Sequence, residues 1–456
     1  MVRLKSTACL LGWASATLAL RGRGLGAFSV VKPGGIQDVS LDEDNMIEGR
    51  FHGNKTKVVH HIRAREFLID DKPPLQLELV NLSNSTKTIN AYVTGLDAED
   101  RVVFVRADGS MLYPSSGGSE TPVPIKESVA IPLTSKSQRL PLPMALYGGR
   151  VWFAEGQLQF FMVKTSCGDG MVQPSAVNLQ DPSSGVNWSF AELTYTRQGS
   201  VFANISYVDF VGLILSMALR ERNGKSAQTV RGLDAGAVNK ICSSMVSQSG
   251  SDGFPWSRLC VAGQDGTPIR VLSPNSYAAV NATDFGHYWT NYVDRVWDQY
   301  RRAPLSIDTQ STAGQVECRV SASDNMLLCG GGDNRGYPKP TAQDIWGCNS
   351  GPFERLADDN TVHVAVIPRL CAAFVRSTLL LPGGDVQPRL NASHYYQDTP
   401  ASHYSRLIHE LEVDGRGYAF PYDDVNPSGE PDASGVVASD VPDTLTVYVG
   451  MSPKMT

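Results

Sequence analysis

Asn187-Trp-Ser-Phe-Ala-Glu-Leu-Thr-Tyr-Thr196, followed after Arg197-Gln-Gly-Ser200 by Val201-Phe-Ala-Asn-Ile-Ser-Tyr-Val-Asp-Phe210, reads as two β-strands joined by a short turn. Aromatic, β-branched and hydroxyl side chains fill both runs, the composition that suits a pleated, half-buried surface. Each run carries one carboxylate, Glu192 and Asp209. A two- or four-residue turn centred on Gln198-Gly199 puts Glu192 and Thr194 on one face with Tyr207 and Asp209, because side chains alternate along a strand. The two acids then sit roughly 7 to 14 Å apart along the ladder at about 3.4 Å per residue. A three- or five-residue turn flips one acid away.

Outward from this hairpin the same texture extends toward the N-terminus. Leu75-Gln-Leu-Glu-Leu-Val-Asn81 alternates apolar and polar residues. Ile89–Gly95, Val102–Arg106, Ser128–Leu133, Gly149–Ala154 and Gln157–Val163 follow, separated by turn residues. Short strands at such spacing predict a β-sandwich or barrel. Beyond Asp209 the reading turns helical: Val211–Arg220 is helix-compatible, and Asp234–Ser247, Leu370–Leu380 and His403–Leu411 read as helices. Asp284–Arg302 carries Tyr288, Trp289, Tyr292, Val293, Val296, Trp297 and Tyr300 on one broad stripe, with Thr283 as cap and Pro304 as stop. Val362–Ile367 reads as a strand between helices. Gly417–Tyr422 and Leu445–Gly450 read as late strands that rejoin the β part.

The expected fold class is therefore α+β, with a cleft where the parts meet. The divisions are a signal peptide over 1–27, an extension of unclear structure over 28–72, a β-sandwich over 73–210, an α/β domain over 211–414 and returning strands over 415–456. The signal reading rests on Arg3 and Lys5 ahead of an apolar run, Thr7 to Leu20, that is too short to span a bilayer. Secretion is expected, with no membrane partner after cleavage.

The whole chain has 456 residues, a net charge of −6 and 19% charged residues. Without a clustered basic surface, nucleic acid is excluded as the main partner. Cys9 leaves with the signal. Neighbour pairing of the rest gives Cys242–Cys260, Cys318–Cys329 and Cys348–Cys371, with Cys167 odd, although spacing alone does not fix connectivity. No Cys-x-x-Cys pair occurs, so a zinc site is not expected. Seven Asn-x-Ser/Thr sequons occur and some are candidate glycosylation sites, but Asn187 and Asn204, within the hairpin, read as packing or hydrogen-bonding residues rather than glycan carriers. There is no Gly-x-Ser-x-Gly elbow, Walker A loop or His-Glu-x-x-His helix.

Two carboxylates on a rigid sheet suit one chemistry well. Inverting glycoside hydrolysis needs one protonated acid for the leaving oxygen and one ionised base for water, roughly 6.5–9.5 Å apart. Aromatic faces stack on sugar rings, and Trp188 and Tyr207 lie at hand. Asp423 and Asp424, after Gly417-Tyr-Ala-Phe-Pro-Tyr422, are candidate acceptors for sugar hydroxyls.

Asn187–Tyr195, Phe202–Gly212 and Asp414-Gly-Arg-Gly-Tyr-Ala-Phe-Pro-Tyr-Asp-Asp-Val425 together resemble glycoside hydrolase family 64. The likeness runs from about Pro73 to Val449. It implies a thaumatin-like β domain beside an α/β domain with a wide cleft between them. It also implies endo-type hydrolysis of linear β-1,3-glucan by inversion, without metal or organic cofactor, and laminaripentaose as product. In that resemblance Glu192 is the general acid and Asp209 the general base. Thr194, from its place on the Glu192 face, and Trp188 and Tyr207, as stacking aromatics, are candidate substrate contacts, and the resemblance sets the Asp423-Asp424 segment at the border of the sugar groove. A monomer is expected. The reading from another class is a non-catalytic glucan-binding or defence protein on the same scaffold.

Overall fold

Leu75, Leu77 and Leu79 are fully buried, and each contributes about 2 kcal/mol by leaving water. The computed structural model describes residues 27–53, 55–60, 73–224, 227–430 and 433–450. Among them the protein is mixed α and β, with more sheet than helix. The signal-peptide run, residues 61–72 and Asn54 lie outside the described residues.

The strand Leu75–Asn81 belongs to a five-stranded sheet. There Pro442–Val449 lies between it, in parallel, and Leu215–Glu221, in antiparallel register. The last described strand is thus central to the sheet. A nine-stranded sheet holds the hairpin. Its strand Trp188–Tyr195 pairs with Leu146–Glu155 on one side and Val201–Asn204 on the other, and Val436–Ser439 closes that edge. Inward residues of both sheets share one apolar core: Leu77, Leu445 and Val447 from the first, and Val151, Phe153, Ala191 and Leu193 from the second.

Between the sandwich strands lies a helical region with two further sheets. Its main helices are Ala237–Asp252, Pro274–Val280, Thr290–Arg302, Thr361–Val375 and His403–Leu411. The three cysteine pairs form as expected, Cys242–Cys260, Cys318–Cys329 and Cys348–Cys371, and all lie in this region.

Several sequence expectations are corrected here. Val211–Arg220 is not helical; most of it forms the strand Leu215–Glu221, because a fully buried apolar run has no periodicity to separate helix from strand. The same ambiguity hid the helix Thr361–Val375, which absorbs Val362–Ile367 and is capped by Asn360 Oδ1, accepting from His363 N at 2.9 Å. The aromatic helix starts at Thr290 rather than Asp284. Asp284 instead accepts from Tyr277 Oη at 2.6 Å and Arg258 Nη1 at 3.0 Å. Gly417–Tyr422 makes only an isolated bridge, Tyr418 to Ser206. The described part of the 28–72 extension is also integrated: Ser29–Val30 and Met46–Glu48 each join a sheet.

Candidate active site

On the strand Trp188–Tyr195, alternation sends Ala191, Leu193 and Tyr195 into the core. Trp188, Phe190, Glu192 and Thr194 take the other face. Arg150 stands directly across from Glu192 on one neighbouring strand and Asn204 on the other. The Arg150 Nη2 to Glu192 Oε1 distance is 3.8 Å. The guanidinium lies over the Phe190 ring, 4.3 Å from its centroid, and Nη1 donates to Gln173 Oε1. Burial pulls the Arg150 proton affinity down, while Glu192, Asp209 and Asp44 hold it up. A guanidinium stays charged in such a setting.

The hairpin loop has odd length. Tyr195 pairs with Val201, Thr196 N donates to Ser200 O at 2.9 Å, and Gly199 takes φ +81°. Even residues therefore face even residues, and Glu192 shares its face with Asn204 and Phe202, not with Tyr207. On a straight continuation Asp209 would point away. The chain bends instead. Ser206 bridges to Tyr418, and Phe210–Val211 begins a strand in a different sheet, paired with Val271–Leu272. Ser273 N donates to Asp209 O at 2.8 Å, and Ser273 Oγ caps the helix Pro274–Val280 by accepting from Ser276 N at 3.1 Å. Just beyond, Gly212 lets the chain press onto the start of the Glu192 strand, since a Cβ there would collide with Trp188 O. The crossing from one sheet to the other thus aims Asp209 at the site.

Asp209 and Glu192 thus both act electrostatically on Arg150, and Asp209 lines one cavity with it. Asp209 is open to water at its surface but enclosed by protein on the remaining sides. That enclosure, then Asp44, then Glu192 raise its pKa to about 6, against the lowering effect of Arg150. A cavity of about 140 Å³ lies beside it. Its walls are the sheet (Arg150, Trp188, Phe190), the helix Pro274–Val280 (Ser276, Ala279) and the N-terminal segment.

Of the other expected residues, Thr194 lies half-buried on the Glu192 face, across from Phe202. Trp188 is corrected from platform to floor: it is 2% exposed, packed on Phe210, Trp152 and Arg270, so no ring face is left for a sugar. Tyr207 is buried with its carbonyl accepting from Tyr404 Oη at 2.5 Å, and does not share the Glu192 face. Asp423, also 2% exposed, is held by Arg376 Nη2 at 3.0 Å, His409 Nε2 at 3.2 Å and Ala419 N at 2.8 Å. It is an internal ion-pair residue rather than a sugar ligand. Asp424 is exposed.

Sequence reasoning missed Arg150 and Phe202. Phe202 is 52% exposed on the acid-bearing face, and an aromatic in the polar phase of an alternating strand was the available signal. Arg150, alone in Gly149-Arg-Val-Trp-Phe-Ala154, had none that separates it from a surface arginine.

The architecture is shared with solved β-1,3-glucanase structures. One, a laminaripentaose-producing β-1,3-glucanase in complex with laminaritetraose, superposes with a TM-score of 0.71 at 24% identity over 83% of this chain and 99% of that one. A β-1,3-glucanase domain from Clostridium beijerinckii gives 0.65 at 19% identity, covering 83% and 98%. The glycoside hydrolase family 64 model, described as β-1,3-glucanase, matches residues 73–449, and the chain belongs to that family. It is 26% identical over 350 residues to a glucan endo-1,3-beta-glucosidase of Cellulosimicrobium cellulans, 76% of this chain and 61% of that protein. The chain thus spans 61% of the length of the relatives it matches in sequence.

Proposed function

We propose that the protein is a secreted endo-β-1,3-glucanase that cuts linear β-1,3-glucan by single displacement with inversion. Glu192 is the general acid and Asp209 the general base, and laminaripentaose is the product. The carrying observation is that Glu192, on the large sheet, and Asp209, just ahead of the strand Phe210–Val211, both act on half-buried Arg150, which lines a cavity together with Asp209. Family membership and the named activities of the relatives support the substrate class. The glucan occupies a cleft between a thaumatin-like sandwich and the helical region. Thr194 and Asp424 serve sugar hydroxyls, and the exposed Phe202 offers its ring to the apolar face of a glucosyl unit. Secretion is supported by the layout of the first residues and by the disulfides. The convergence of both acids favours an enzyme over a non-catalytic glucan-binding protein on this scaffold.

One observation favours a second assignment. Asp209 keeps its proton up to about pH 6, and a raised pKa suits an acid. In that reversed reading Asp209 protonates the leaving oxygen and Glu192 activates water.

Incubating the purified chain with laminarin and following products by chromatography and proton NMR tests the activity. The expected result is discrete oligosaccharides, with the α-anomer appearing first. A β-anomer first overturns inversion, and intact laminarin overturns the enzyme. Phe202→Ala is expected to raise KM for laminari-oligosaccharides about tenfold with kcat little changed, the pattern of lost uniform binding. Unchanged KM removes Phe202 from the groove.

A further inference from the structure

Residues before the family-matched region form one wall of the candidate active site. Ser29–Val30 pairs in parallel with Val261–Ala262, at the edge of the sheet whose opposite edge, Phe210–Val211, directly follows Asp209. Lys32 N donates to Leu179 O at 2.8 Å and Gly34 N to Gln180 O at 2.9 Å. Met46–Glu48 then pairs with Gly170–Val172.

Between these anchors the chain makes a tight turn. Asn45, 3% exposed, donates from N to Asp42 O at 3.2 Å and from Nδ2 to Ser40 O at 3.0 Å. Its Oδ1 accepts from Asp42 N at 2.9 Å. Gln173 N donates to Asn45 O at 2.7 Å, and the same Gln173 holds Arg150 Nη1 through its Oε1. The turn is therefore one hydrogen-bonded residue away from the site's cation. Within it, Asp42, Asp44 and Asn45 line the cavity that Arg150 and Asp209 also line.

We propose that Asp44, carried by a segment outside the family-matched region, is a positioning residue of the active site that sets the charge environment of Asp209 from the N-terminal wall of the cavity they both line. The inference rests on Asp209 being a working acid–base group, as proposed above. The charged and titratable groups around Asp209 are Arg150 and Glu192 from the large sheet, Asp44 and, elsewhere on the cavity wall, Asp42 from the N-terminal turn, and Tyr404 from the helix His403–Leu411. Asp44 opposes ionisation of Asp209, as Glu192 does, while Arg150 favours it. The sign follows whichever role Asp209 takes: a neutral side chain at position 44 makes Asp209 ionise at lower pH.

The test compares wild type, Asp44→Asn and Asp44→Glu by titrating the Asp209 carboxyl with carbon-13 NMR in the full chain. The pH–rate profile on laminarin is recorded alongside. Asp44→Asn is expected to lower the Asp209 midpoint by about one unit. The limb of the rate profile governed by Asp209 should move in the same direction, while Asp44→Glu keeps both near wild type. A purely structural role for Asp44 would depress activity at every pH without moving the midpoint. An unmoved Asp209 midpoint in correctly folded Asp44→Asn overturns the inference. A moved midpoint in a chain that leaves laminarin intact upholds it and overturns the proposed function instead.

Discussion

Glu192→Gln and Asp209→Asn each lose laminarin turnover by a factor of about 10² to 10⁴, the contribution expected of a positioned acid or base. Neither change should unfold the protein. The Glu192 carboxylate is 42% exposed, and its ion-pair contact to Arg150 is long at 3.8 Å, so little stability rests on it. Asp209 is likewise open at its surface. Far-UV circular dichroism and the thermal midpoint should match wild type. Chemical rescue separates the roles. An aryl glucoside with a strongly acidic leaving group needs no protonation, so it restores turnover in the variant lacking the acid. Azide replaces activated water and restores turnover in the variant lacking the base, giving an α-glycosyl azide. The assignment expects leaving-group rescue of Glu192→Gln and azide rescue of Asp209→Asn; the exchanged pattern establishes the reversed reading. If Asp209 is the base, wild-type activity falls as pH drops through about 6. Wild-type turnover in either variant removes the pair from the chemistry.

The acids were legible in sequence because each sits in a run of strand-forming residues, and their partnership followed from the family resemblance. Their geometry was not legible. Face-sharing depended on a turn of even length, and the loop is odd. The acids still converge because the chain bends after Asn204 and crosses into another sheet, an event with no periodic signature. The Asp423-Asp424 pair shows a related limit. Adjacent residues diverge, but only the structure supplies the Arg376 and His409 that draw the first one inside. The N-terminal segment lacked long alternation because it adds two- and three-residue strands to sheets built by other segments. Cysteine pairing was easier to anticipate: each disulfide joins neighbours in sequence, separated by 11 to 23 residues.

Asp423→Ala is expected to be the most destabilising change, by about 3–5 kcal/mol, because it strands the buried Arg376 and the half-buried His409 without their shared counter-charge. The Arg376 side chain is 4% exposed; its Nη2 also donates to Asp423 O at 2.9 Å, and its guanidinium stacks on Tyr395 at 4.4 Å. His409 packs between Glu412, 3.2 Å from Nδ1, and Asp423, 3.2 Å from Nε2. Burial disfavours the charged imidazole, but the two carboxylates outweigh it and raise its pKa to about 10. Burial likewise favours protonated Asp423; His409, Arg376 and the Ala419 amide outweigh that and hold its pKa below the ordinary carboxylate value. The linkage signs follow. The His409 contribution is complete below its unfolded pKa of about 6.5 and is lost as pH rises toward about 10. The Asp423 contribution is complete above its unfolded pKa of about 3.9 and is lost as pH falls below it. The network therefore stabilises most between these limits, on the mildly acid side of neutrality. Urea denaturation at pH 5.5 and pH 9 should show wild type weakening toward alkaline pH. Asp423→Ala should be far weaker at pH 5.5, with less further loss on going to pH 9. A sugar-contacting role predicts the opposite behaviour, namely a raised KM with unchanged denaturation midpoints, and that result would return Asp423 to the substrate groove.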